Sequence, residues 1–186
     1  MTLEPDGRIG LLRHLWSFDD LFSSTVLLEF DENRDLELDA EELRRVGETV
    51  FASLSDFNYF QLVTADGRDV AMLPPSSFVA DYESDQLTIA FETKPKEPLP
   101  LAGKLGFGIY DPTFYTAIDF LEDKDMAVEG LSVGCTRAVV RPDAGEAIAA
   151  NQQTLTDAFF SDPLGNDLSG TFATRLEISC PSGSSD

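Results

Sequence analysis

The chain has 186 residues, 42% of them hydrophobic, with 34 acidic against 13 basic side chains and a formal net charge of -21. That is enough apolar material to bury a proper core, which excludes a disordered chain, while the charge repels phosphate backbones and anionic lipid surfaces and so excludes nucleic acid as a partner. No stretch approaches the roughly 18 apolar residues of a membrane helix, which excludes direct membrane insertion, and Met1–Gly10 lacks the basic-then-apolar order of an export signal.

In chain order, Asp6-Gly7 predicts a turn and Ile9–Trp16 an extended run. Ser17 or Asp19 is placed to cap a first helix that starts at Asp19-Asp20 and continues to about Phe30, with Phe22, Val26 and Phe30 recurring every four residues. A second helix is predicted from about Asp39 to Ser55. Its stripe is Leu43, Val46, Val50 and Phe51, with Glu41, Arg44, Arg45 and Glu48 on other faces. Gly47 weakens that helix by roughly 1 kcal/mol against alanine without ending it.

Between the two helices the chain reads D-E-N-R-D-L-E-L-D-A-E-E, from Asp31 to Glu42. Set against the twelve-residue calcium loop of an EF-hand, Asp31, Asn33 and Asp35 fall at positions 1, 3 and 5, Asp39 at 9 and Glu42 at 12. A hard cation takes six to eight oxygens at about 2.3–2.6 Å, so a chain wrapping it turns alternate side chains inward and closes with a bidentate carboxylate. Glu37 would add its backbone carbonyl at position 7, and Leu38 is the apolar anchor at position 8. Leu36 stands where such a loop has glycine to reach positive φ, a departure costing roughly 1 kcal/mol or more. The competing reading is an acidic helical hairpin with a solvated face. The same hard-cation chemistry that fits Ca²⁺ would also admit trivalent lanthanides.

From Phe57 the period changes to two, and Ala65-Asp66-Gly67-Arg68 carries hairpin turn chemistry. Strands are predicted at Tyr59–Thr64, Asp69–Leu73, Ser77–Glu83, Gln86–Thr93, Leu105–Tyr110, Tyr115–Leu121, Ala127–Glu129 and Thr136–Arg141, with a proline-rich loop at Lys94–Pro100. Ala144–Thr154 reads as helix, Asp157–Leu168 as irregular, Gly170–Ser179 as a last amphipathic element and Pro181–Asp186 as a disordered tail. Asp81–Glu92 repeats part of the acidic spacing, but its surroundings alternate and Ser84-Asp85-Gln86 is a hairpin turn, so no second metal loop is expected there.

Catalytic chemistry is scarce. His14 is the single histidine, expected on a strand face beside Trp16, so no multi-histidine metal site can form within the chain. No phosphate loop or nucleophile motif is present. Asp111 and Asp119 could pair as acid and base, but carboxylates this abundant meet by chance, and no enzyme is expected. Cys135 and Cys180 are either two buried thiols or a disulfide closing a loop of about 46 residues, worth roughly 4 kcal/mol on the loop-entropy model.

W-S-F-D-D-L-F-S at Trp16–Ser23, the D-x-N-x-D loop, Y-D-P-T-F-Y at Tyr110–Tyr115 and the late Cys135 and Cys180 together resemble a bacterial periplasmic family. It is the one catalogued as domain of unknown function one thousand and seven and described as a periplasmic component of an ABC-type transport system. The resemblance spans nearly the whole chain. It implies an exported protein with the two cysteines joined, associated with divalent-metal transport machinery. It also implies a signal peptide and a His-Pro-His segment at the mature start, both missing from Met1–Gly10; the leader is taken as already removed, and the His-Pro-His segment is either trimmed with it or lost in this member together with a candidate soft-metal site.

The expectation is therefore an α+β protein, a mostly antiparallel, sandwich-like β domain over 1–180 with a helix-loop-helix insert at 19–56 and a tail at 181–186. Its expected function is to bind Ca²⁺ through Asp31, Asn33, Asp35, Glu37, Asp39 and Glu42, as a structural staple or as a sensor. The alternative is a solute- or metal-binding transport component whose ligand sits in the β domain near Tyr110, Asp111 and Tyr115.

Overall fold

The computed structural model describes residues 1–113, 115–142 and 173–181. Within them the chain folds as α+β, with two five-stranded sheets and two α-helices. The first sheet is built on two long strands, β2 (Ile9–Ser17) and β7 (Gln86–Pro95), which pair antiparallel from Leu12↔Thr93 to Ser17↔Thr88. β1 (Thr2–Leu3) lies along β2, while β5 (Met72–Leu73) and β6 (Val79–Glu83) pair with β7. The second sheet runs β4 (Arg68–Asp69), β3 (Gln61–Ala65), β8 (Gly103–Ile109), β10 (Arg175–Cys180), β9 (Thr136–Val140), every pair antiparallel.

Strands β2 and β7 serve two cores. Ile9 and Leu12 pack with Val63, Leu105, Phe107, Leu176 and Ile178 of the second sheet. Farther along, Leu87, Ile89 and Phe91 pack beneath the helices, with Val26, Val46 and Leu54. At the seam a polar chain joins the sheets: the His14 ring nitrogen Nε2 lies 3.2 Å from Thr93 Oγ1, and Thr93 Oγ1 donates to Gln61 Oε1 at 2.6 Å. Because the hydroxyl proton goes to Gln61, the hydroxyl can only accept from His14, which places an N–H on Nε2.

Helix α1 (Asp20–Phe30) is capped by Asp19, whose carboxylate accepts the Phe22 N–H at 2.8 Å, and α2 (Ala40–Leu54) by Asp39. Buried Ser23 fastens α1 to the sheet by accepting the Leu87 N–H at 3.0 Å. Gly47 lets α2 settle on the backbone before β6, since a Cβ there would stand 2.6 Å from the Phe78 carbonyl oxygen. Alanine would gain about 1 kcal/mol of helix propensity, but the clash is with backbone and overpacking costs up to about 3 kcal/mol. Gly47→Ala is therefore expected to destabilise the protein by about 2 kcal/mol, read as a lower urea midpoint at unchanged slope; a raised midpoint would contradict the close contact.

Several expected boundaries move. The strand expected from Tyr59 starts at Gln61, because Asn58, Tyr59 and Phe60 have φ of 51, 53 and 58°, a left-handed run no strand contains. Asp69–Leu73 divides between β4 and β5, which belong to different sheets. β7 continues into Pro95, inside the expected proline-rich loop. Tyr115–Leu121 is not a strand: Asp111 instead gathers the Thr113 and Thr116 amides into a turn. Ala127–Glu129 contributes only a bridge between Glu129 and Thr2. The last amphipathic element is β10, the centre of its ladder, between β8 and β9. The expected helix at 144–154, the irregular stretch at 157–168 and the tail beyond Pro181 lie outside the described residues. Cys135 and Cys180 are joined in a disulfide, with Cα atoms 4.3 Å apart.

Candidate metal centre

The acidic loop is shaped by its own carboxylates. Asp31 ends α1, its N–H still on the Leu27 carbonyl at 2.9 Å. Arg34 and Leu36 then both take φ of 64°, turning the chain twice. Leu36 thus adopts the left-handed conformation that glycine would adopt freely, at a strain of about 1 kcal/mol. Hydrogen bonds hold it there: the Leu36 N–H donates to Asp31 Oδ2 at 2.9 Å, while Asp31 Oδ1 accepts from Arg34 at 2.6 Å and Asp35 at 3.2 Å. Asn33 Oδ1 accepts the Asp35 N–H at 2.8 Å, and Asp35 Oδ1 accepts the Glu37 N–H at 3.0 Å.

The far end is closed the same way. Asp39 Oδ1 accepts from the Glu41 and Glu42 amides at 2.8 and 2.9 Å. Glu42, only 4% exposed, returns one oxygen to the Asp39 N–H at 2.9 Å and extends the other to the Glu32 N–H at 2.8 Å. Glu42 thereby ties the first residues of the loop to the first turn of α2. Leu38 packs against the helix-side core, as an apolar anchor should. Asn33, Asp35, Glu37 and Asp39 are exposed, so an ion would meet the loop from solvent.

Two facts weigh against reading the loop as a finished cage. Asp39 and Glu42 form a capping box, which gives both residues a helix-starting role without any ion. Among the described residues, moreover, no three His, Cys, Asp or Glu side chains are grouped as a bound metal requires. Each carboxylate oxygen bonded to one N–H nonetheless keeps further lone pairs for a cation. Binding would have to draw the oxygens together, at a cost in affinity.

Sequence periodicity placed Arg45 on an outer face of α2, and the structure aims it at the loop. Its guanidinium pairs with the Glu32 carboxylate through Nη1 and reaches the Phe30 carbonyl, in the last turn of α1, through Nη2 at 3.4 Å. A cation is favoured there by the helix C-terminus. Its neighbour Arg44 pairs instead with Glu41 and Glu48 along α2's own surface. No local pattern marks the Glu32–Arg45 pair, since the partners are separated by 13 positions across the loop.

Of the β-domain candidates, Tyr110 directly follows β8 and donates its N–H to the Phe60 carbonyl at 2.9 Å. Asp111 is 5% exposed and its oxygens take the Thr113 N–H at 2.7 Å, the Thr113 hydroxyl at 2.6 Å and the Thr116 N–H at 2.8 Å. Burial alone would raise its pKa, but these bonds outweigh it and hold the carboxyl below the usual value. Asp119 is exposed and accepts the Phe120 N–H at 2.8 Å, and Tyr115 is 92% exposed. A shallow concavity of about 380 Å³ in this domain is lined by Asp123, Lys124, Arg137, Ala138 and Val139, and not by Tyr110, Asp111 or Tyr115. Among the described residues no helix is long and apolar enough to cross a membrane.

A relative from Haemophilus influenzae, carrying the name "Uncharacterized protein", is 22% identical over 167 residues, covering 89% of this chain and 79% of its own length. No solved structure matches the chain. A family model described as "Protein of unknown function (DUF1007)" matches residues 1–180, the family that the tryptophan, tyrosine and cysteine motifs resemble, and the chain belongs to it.

Proposed function

We propose that the protein is a non-enzymatic calcium-binding protein of the periplasm, holding one Ca²⁺ in the Asp31–Glu42 loop. The observation that carries this reading is the backbone at Leu36: φ of 64° with its N–H on Asp31, the course the twelve-residue pattern demands, kept without glycine. Asp31, Asn33, Asp35, Asp39 and Glu42 are the side-chain ligands and Glu37 adds its carbonyl. The disulfide supports an oxidising compartment. The work of gathering the carboxylates sets a weak affinity, of order 10⁻⁴–10⁻³ M, suited to a calcium-rich exterior. Lanthanides bind by the same chemistry, and transport machinery at the membrane is the partner the family resemblance favours.

Calorimetric titration of chelator-stripped protein tests this. The wild type takes up one Ca²⁺ and melts at higher temperature with the ion than without it. Asp31→Ala and Glu42→Gln each weaken binding at least about 100-fold. Glutamine at the third helical position still completes a capping box through its one carbonyl oxygen, so Glu42→Gln spares the cap while losing the charge and the bond from the Glu32 N–H. Leu36→Gly relieves about 1 kcal/mol of strain that the ion-free loop already carries, so it should raise stability while leaving affinity within about twofold of wild type. No heat and no melting shift in folded wild type at about 10 mM Ca²⁺, some ten times the weakest such affinity, would leave the loop a helix cap alone.

A further inference from the structure

The acidic hairpin contains one fixed positive charge whose placement the ligand set does not explain. Arg45 lies one turn beyond Glu42 on α2, with its side chain 31% exposed against 50% for Arg44. Its guanidinium is held by the Glu32 carboxylate and the Phe30 carbonyl, at the point where α1 passes into the loop. Its Nε is shielded from solvent without an acceptor, while the side chain as a whole keeps 31% exposure. We infer that Arg45 is the internal counter-cation of the loop, holding the ion-free hairpin together by neutralising part of its charge and thereby lowering its affinity for cations. This inference rests on the calcium reading above.

The inference fixes a sign. If Arg45 chiefly pre-arranged the ligands, removing it would weaken binding; as a counter-cation, its removal strengthens binding. A purely Coulombic effect also scales with the charge of the ion. R45M keeps most of the aliphatic stem and is expected to bind Ca²⁺ about fivefold more tightly at low salt, and Tb³⁺, with three charges in place of two, about elevenfold more tightly. R45K, which keeps the charge, should stay within about twofold of wild type. The gain in R45M should shrink at 0.5 M KCl, where screening shortens the reach of the charge.

Titrations of wild type, R45M and R45K with Ca²⁺ and Tb³⁺, each preceded by a circular dichroism check of folding, decide the matter; R45Q, with the same expected sign, replaces R45M if that variant does not fold. Tighter binding in the neutral variant, larger for Tb³⁺, with R45K close to wild type, supports the assignment. Unchanged or weaker binding in the neutral variant, while wild type binds and Asp31→Ala does not, overturns it and leaves the calcium site standing. Absence of binding in wild type overturns the calcium reading itself.

Discussion

Replacing Cys135 and Cys180 together with serine is expected to destabilise the protein by about 4 kcal/mol and to lower its melting temperature by about 10 °C. The bond spans 45 positions, and closing a loop of that length in the unfolded chain accounts for most of the effect. Its place in the fold adds a local contribution. Ser179 pairs with Thr136, so Cys180 and Cys135 follow as the next partners at the end of the β10–β9 ladder. Among the described residues β9 pairs with β10 alone, and the disulfide clamps one end of that pairing. Both cysteines also pack against the core between the sheets. Serine at either position would set a hydroxyl where sulfur now meets apolar neighbours. Thermal melts of the double variant, beside wild type with and without a strong reductant, measure the loss. Agreement between reduced wild type and the variant assigns it to the bond, and an unchanged melting temperature in both would show that β9 needs no clamp.

The parts of this fold that were legible in the sequence are those fixed by neighbours along the chain. Asp19 and Asp39 mark both helix starts through side chains that reach amides two or three residues on. Asp66-Gly67 and Ser84-Asp85 mark hairpins because both residues of each pair take positive φ, which the strand twist requires. The turn of the acidic loop was legible because its side-chain oxygens answer amides within five positions, apart from Glu42's reach back to Glu32.

What escaped is held from far away. Asn58, Tyr59 and Phe60 alternate with their neighbours like a strand, yet all three are left-handed. Asn58 and Gln61 exchange side-chain bonds at 3.0 and 3.2 Å, and the Phe60 carbonyl accepts the Tyr110 N–H at 2.9 Å. Tyr59 is packed on Phe51 and Phe78. Such a run costs about 1–2 kcal/mol per residue and persists only because these contacts hold it. Arg45 escaped for a related reason: its role comes from a helix end that the hairpin folds back against it, and helical periodicity could only call it polar.

His14 was expected as an ordinary packing residue, and its packing makes it acid-sensitive. The ring stacks on Phe91 at 4.4 Å and shares the buried chain to Thr93 and Gln61. Burial, partly offset by the bond to Gln61, pushes its pKa down from 6.5 to about 4. With the folded value below the unfolded one, the unfolded chain binds more protons between those two pH values. The stability tied to neutral His14 is therefore complete above pH 6.5, falls as pH drops, and is gone near pH 4. The full shift corresponds to about 3 kcal/mol, but a protonated imidazole would recover about 0.5–1 kcal/mol against the face of Phe91, leaving about 2–3 kcal/mol. The many surface carboxylates titrate in the lower part of this window too, so the residue's share must be taken as a difference. His14→Gln keeps an N–H donor for Thr93 and carries no titrating group. Urea unfolding at intervals from pH 7.5 to 4 should show wild type losing about 2–3 kcal/mol more than the variant, with the two curves separating below pH 6.5. Parallel curves would mean that His14 takes up its proton in the folded protein as readily as in the unfolded chain, and that the seam between the sheets opens to water.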